Sequence, residues 1–254
     1  MSKSPRTARR AARSGPPRDV ESLRAAISSA RLSGTPPQVV EQARGLLMAW
    51  LGTVRTEPFT GIVRDLASGS AARQVGQAMV DQSPAPEGLD CKAGCAFCCI
   101  LPGDDGGTIT GAEARALHAV LTPLAGQPDG RAWHTHACPA LDPETRLCRA
   151  YDARPMICRT YVSRDVTACE AIAEGDAKPG TGTLPAQIIH IAVQSLARAA
   201  LKGVTTVPTY SLKKVATAAL GLAEVESALK SSRHPPGSLD TERRRLSRGI
   251  FRAH

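Results

Sequence analysis

All eight cysteines of this 254-residue chain lie between residues 91 and 169, and four of them fall within "CKAGCAFCC" at 91–99. The first cluster reads C-x3-C-x2-C-C; the second set is Cys138, Cys148, Cys158 and Cys169. A helical stripe would place Cys91, Cys95, Cys98 and Cys99 on one face, where free cysteine packs as a small hydrophobe. Packing alone does not gather every cysteine into about a third of the chain, so the pattern points to metal binding. The compartment supports this reading. No stretch approaches the ~20 apolar residues that span a bilayer. The basic N-terminus "MSKSPRTARRAARSGPPRD" lacks the apolar core of a secretory signal. The expected location is cytoplasmic, where thiols stay reduced and an even cysteine count does not imply disulfides.

Geometry narrows the metal reading. Zinc–thiolate bonds of ~2.3 Å in a tetrahedron hold sulfurs ~3.8 Å apart. Neighbouring residues project to opposite faces of a strand, or about 100° apart on a helix. Cys98 and Cys99 therefore should not serve one mononuclear ion together. Either they feed two centres, or one is a ligand and the other supports it. Eight thiolates suit two four-sulfur sites or one polynuclear cluster.

Outside the cysteine region the apolar spacing predicts helices. "TPPQVVEQARGLLMAWLG" puts Val39, Val40, Ala43, Leu46, Leu47, Trp50 and Leu51 on one face, with Thr35 as cap, Pro36 at the first position and Gln38 completing a capping box. Shorter patterns cover 20–31 and 62–80. "AQIIHIAVQSLARAALKG" and "SLKKVATAALGLAEVESALK" predict two more, the second capped by Ser211. Within the cysteine region "TITGAEARALHAVL" predicts a helix with a Thr110–Glu113 capping box, and "CPALDPETRLC" a hairpin turning at Asp142-Pro143. The expected fold is mainly α: a helical body (20–85 and 186–230) around an irregular cysteine-rich metal-binding subdomain (86–170). Basic termini (1–19 and 231–254) are expected to be disordered and removable without loss of helix. The chain carries +9, all of it contributed by those two termini.

The order C-x3-C-x2-C-C, a helix-starting T-x-x-E and "CPALD…RLC-RAY-DARPMICR" resembles the bacterial CxxCxxCC zinc- or iron-chelating cysteine-cluster family (YkgJ-type). That family includes flagellin lysine N-methylase-like proteins. The resemblance covers 91–170 and implies Cys91, Cys95, Cys98, Cys99, Cys138, Cys148, Cys158 and Cys169 as metal ligands. It marks Tyr151, Arg154, Pro155 and Arg159 as motif residues of unassigned role. The implied cofactor is zinc or an iron–sulfur cluster. As an enzymatic alternative it implies an S-adenosylmethionine-using, iron–sulfur-dependent protein-lysine N-methylase acting on a protein substrate. "CKAGCAFC" also resembles the cluster loop of radical S-adenosylmethionine enzymes, but the βα alternation of their barrel is missing.

Other residues are weaker candidates. His134 and His136 alternate beside Cys138 and are expected to sit at the surface. Of Arg146, Arg149, Arg154, Arg159 and Arg164, only Arg154 and Arg159 are expected to offset thiolate charge; the others solvate a loop. Asp104-Asp105 reads as a polar turn. No nucleophile–base pair or phosphate loop is evident. A third reading is an interaction module, with a metal-stabilised surface and basic tails that meet nucleic acid or anionic lipid.

Overall fold

Helix starts follow local chemistry. Asp19 opens α1 (Val20–Ser29) by accepting the Ser22 N–H at 2.7 Å, while the Ser22 hydroxyl reaches back to the Asp19 N–H. Prolines start α2 (Pro37–Thr53), where Pro36 precedes the first turn with no side-chain cap. The expected Thr35 and Gln38 capping box therefore does not form. The Thr35 hydroxyl instead accepts from the Arg243 guanidinium. The 62–80 pattern is two helices, α3 (Phe59–Ser68) and α4 (Ser70–Gln82). Gly69 divides them at φ 85°, a left-handed conformation that suits glycine.

The computed structural model describes residues 15–250 apart from 85, 102, 177, 179 and 180. It is mainly α, with eleven α-helices and four three-residue strands among the described residues. After α4 come β1 (Thr108–Thr110), α5 (Gly111–Leu121), α6 (Met156–Thr160), β2 (Tyr161–Ser163), α7 (Val166–Ala173) and β3 (Thr181–Thr183). The chain then enters α8 (Pro185–Ala200), β4 (Thr209–Ser211), α9 (Leu212–Leu220), α10 (Val225–Ser232) and α11 (Ser238–Ile250). β1 pairs antiparallel with β4, Thr108 opposite Ser211, and β2 with β3, Tyr161 opposite Thr183. Ser211 caps α9 as expected, accepting from the Lys214 N–H. The single helix expected over 211–230 breaks at Gly221-Leu222, where Leu222 adopts φ 58°. The expected Cys138–Cys148 hairpin reduces to one antiparallel bridge, Leu141 to Cys148. Asp142 spends its carboxylate on the Glu144 and Thr145 N–H groups of the turn.

α8 is the axis of the body. It is buried on every face from Ala186 to Ala197, as a helix surrounded by other elements must be. Its Ile189, Val193 and Leu196 join Leu23, Leu47, Leu51, Ile62 and Leu66 from α1–α3 in one core. A second core gathers Ile109, Leu117, Leu121, Leu141, Leu212 and Val215 beneath the cysteines. The fold brings both cores together, so the cysteine region rests on the helical body through α5, α6 and α8.

The C-terminal segment departs from the expected disordered tail. Residues 238–250 form α11, which packs on α8 with Leu239 and Leu246 against Ile188 and Ile191. Arg243 is 1% exposed; it donates to the Ser33 carbonyl at 3.0 Å and pairs with Asp240 at 2.9 Å. Composition hid this helix because its two leucines lie among arginines. Residues 1–14 of the expected N-terminal tail, and 251–254, lie outside the described residues. Leu239→Ala should cost about 2–5 kcal/mol, the usual range for emptying a buried leucine site. Chemical denaturation of the variant checks this. Deleting 238–254 should likewise lower the melting temperature and helix content instead of leaving them unchanged.

Candidate metal centre

A buried carboxylate positions the cysteine region. Glu113, at the third position of α5, forms the expected capping box with Thr110, whose N–H it accepts at 2.8 Å. Its other oxygen accepts the Met156 N–H at 2.7 Å and so fixes the start of α6, which carries Cys158. His190 of α8 lies 3.6 Å from the same carboxylate, and Arg73 of α4 lies 3.7 Å away. Glu113 and His190 are each 1% exposed. Burial alone would raise the Glu113 pKa, but the His190 charge and the backbone N–H donors win and hold it at about 2. Burial likewise disfavours His190's charged form; the Glu113 charge outweighs it, and its pKa is raised. Sequence reading found Glu113 only as a cap; a lone histidine in an otherwise buried helix was the missed signal for its partner.

The thiols fall on two sides of the Phe97–Cys99 turn. On one side, Cys91 Sγ accepts the Ser163 N–H at 3.3 Å, and the Asp90 carboxylate accepts the Val166 N–H at 3.0 Å. These bonds tie the start of the first cluster to α7, which carries Cys169 and packs against the turn. Cys169 feels the charges of Cys95, Cys98 and Cys91. On the other side, the Cys138 N–H donates to the Cys99 carbonyl at 2.7 Å, and the Cys138 carbonyl accepts the Leu141 N–H at 3.0 Å. Leu141 in turn bridges Cys148. Cys99, Cys138, Cys148 and Cys158 all pack into the second core. Gly130 permits this approach, because a Cβ there would stand 2.3 Å from the Cys138 carbonyl.

Burial differs between the two sides. Cys91 and Cys98 are exposed and Cys95 half-buried, with Cys169 buried behind them. Desolvation pushes the Cys138 thiol up to about 12, and raises Cys158 well above its ordinary value. The vicinal pair splits: a hydrogen bond from Cys99 stabilises the Cys98 thiolate and lowers its pKa to about 7, with Arg154 helping. Cys99 is raised well above its ordinary value, first because it gives that hydrogen bond and then by burial. All eight thiols are free. As placed, no three His, Cys, Asp or Glu side chains among the described residues stand close enough together to hold a metal. The thiols are neighbours within electrostatic reach of one another. Their donor chemistry suits zinc or iron.

Residues 90–175 match the family model CxxCxxCC, described as "Putative zinc- or iron-chelating domain". This region is similar to domains of that type. No curated protein and no solved structure matches the chain.

The motif residues of that domain have structural places. The Arg154 guanidinium stacks on the Tyr151 ring at 3.7 Å, and its charge reaches Cys98 and Cys148. Pro155 precedes the first turn of α6. Arg159 donates to the Arg154 and Asp152 carbonyls, bracing the loop beneath that stack. Arg149 clamps the Pro128 and Pro139 carbonyls, and Arg146 covers Trp133. His134 accepts the His136 N–H, a local turn contact. Asp105 lies in a polar turn as expected, and it also pairs with His234 at 2.7 Å.

Two outcomes follow. Because the folded pKa of Glu113 lies below its ordinary 4.5, its contribution to stability is complete above that value and is lost as pH falls towards 2. Glu113→Ala leaves His190 buried without its counter-charge and should cost about 3–5 kcal/mol, measured by denaturant unfolding at neutral pH. Iodoacetamide added to metal-free protein near neutral pH should label Cys98 first and Cys138 and Cys158 last. Mass spectrometry of the digested protein would show a reversed order if the thiolate assignment is wrong.

Proposed function

We propose that the chain is a metal-binding protein whose eight cysteines form two four-thiolate centres. The inner set is Cys99, Cys138, Cys148 and Cys158; the outer set is Cys91, Cys95, Cys98 and Cys169. The observation that carries this reading is the division of the thiols about the vicinal pair. The inner four pack into the second hydrophobic core, and the other four do not. Cys169 has Cys95, Cys98 and Cys91 as electrostatic neighbours, and Cys98 also neighbours Cys148 and Cys158. Cys98 and Cys99 hydrogen-bond to each other and so stand at the seam of the two sets; each is assigned to one set.

The metal is zinc or iron. When bound it would supply charge to hold the thiolates and, as iron–sulfur, redox capacity. The chain's own contributions are distinct. Arg154 places positive charge beside Cys98 and Cys148, offsetting the net −2 that a divalent ion with four thiolates retains. The Ser163 N–H donates to the Cys91 sulfur. The second core buries Cys138 and partly covers Cys99, Cys148 and Cys158, which makes that centre the more closed of the two, the character of a structural site. In the outer set Cys91 and Cys98 meet solvent, so that centre exchanges its metal or meets a partner. Drawing the thiols to coordination distance tightens residues 86–170, because binding energy in such sites is folding energy.

Protein purified without oxygen should contain two equivalents of zinc, or iron with sulfide and absorbance near 400 nm. A Cys98→Ser substitution should remove the outer equivalent and leave the fold intact. The Cys99→Ser substitution should remove the inner one and lower the melting temperature. If both variants lose all metal equally, one cooperative polynuclear cluster replaces the two-centre reading.

A further inference from the structure

A cavity of about 630 Å³ lies away from the cysteines, between the α1–α2 connection, the end of α8, the loop after α10, and α11. Six cations from four chain segments line it: Arg31, Arg198, Lys202, Arg233, Arg243 and Arg244. Asp240 is the one carboxylate in its lining, and it is already paired with Arg243 at 2.9 Å. Five positive charges are left without a neutralising acid in the cavity wall. Three of the six, Arg233, Arg243 and Arg244, come from the basic C-terminal segment, and the fold sets them beside Arg31, Arg198 and Lys202 of the otherwise neutral body.

Two of these cations are fixed in place. Arg198 donates to the Val207 and Pro236 carbonyls. Its pKa is lowered, first by burial and also by the nearby Arg233 charge. Arg243 is almost fully buried, and its Nε–H has no hydrogen-bond partner among the described residues. The other four, Arg31, Lys202, Arg233 and Arg244, make no side-chain hydrogen bond or ion pair among the described residues. Holding like charges together costs energy unless an anion joins them. Guanidinium forks match the oxygens of phosphate in a bidentate manner. The volume lies within the range of small-molecule pockets, and it is too large for a single phosphate.

The geometry points to a binding site for a polyphosphorylated small molecule, a ligand with a chain of two or more phosphates. Arg198 and Arg243 form its fixed floor, and Arg31, Lys202, Arg233 and Arg244 close on the phosphate oxygens. The site is independent of the thiols, so it does not stand or fall with the metal reading.

The test uses the full chain, metal-loaded, with tripolyphosphate, ATP and AMP as probes in calorimetry and thermal-shift measurements. Tripolyphosphate or ATP should bind at one equivalent and raise the melting temperature; AMP should bind at least about tenfold more weakly. Tighter binding of ATP identifies the nucleotide as the source, and tighter binding of tripolyphosphate the inorganic chain. Lys202 and Arg233 are exposed and unbonded, so Lys202→Ala with Arg233→Ala should fold normally. That double variant should lose affinity by about tenfold or more, since each charged hydrogen bond removed is worth that order. Its metal content should be unchanged. A control with Arg9, Arg10 and Arg13 all changed to Ala should bind like the parent. Three results would overturn the proposal: no saturable one-to-one binding, equal binding by the cavity variant, or binding only to an oligonucleotide and lost in the Arg9/Arg10/Arg13 variant.

Discussion

The Glu113 carboxylate is the contact through which the cysteine region acquires a fixed place. Its oxygens accept N–H groups from the starts of α5 and α6, and it faces His190 and Arg73 from two body helices. A charge this deeply buried is tolerable only when paired and fully hydrogen-bonded. Glu113 meets that condition by recruiting partners from four elements at once. The consequence is geometric: α6, and with it Cys158, cannot shift relative to α8 without stranding a charge in the core. A region of short strands and short helices is thereby anchored to the helical body.

The division of the thiols follows from a similarly local cause. Cys98 and Cys99 hydrogen-bond to each other, yet Cys98 is exposed whereas Cys99 packs into the second core. What happens on each side is then a matter of solvent. The inner thiols are desolvated and held protonated without metal, whereas Cys98 is poised to ionise beside Arg154. A soft cation reaching Cys98 would meet a thiolate, whereas one reaching Cys138 or Cys158 would require a proton to leave.

Charge is distributed with comparable purpose. Arginines near the thiols are tied to backbone carbonyls and stacked on aromatic rings, as with Arg149, Arg154 and Arg159. Arginines around the basic cavity are mostly untied. The same residue type braces a loop in one place and waits for a partner in the other, and only its hydrogen-bond inventory tells the two apart.

The sequence by itself determined the mainly helical class, the confinement of all thiols to one segment, and the cysteine-cluster resemblance that the family match supports. It also marked the Thr110–Glu113 and Ser211 caps. These are legible because each depends on spacing within a few residues. It did not show that Glu113 pairs with His190, 77 positions away in the chain, or that Arg154 serves Tyr151 and two thiols together. Nor did it show that 238–250 is helical: Leu239 and Leu246 among four arginines read as a charged tail until Ile188 and Ile191 are set opposite them. Tertiary structure decided these features because each is a contact between distant segments. Whether a buried charge is paid for, or a sparse apolar stripe suffices, depends on what the rest of the fold places against it.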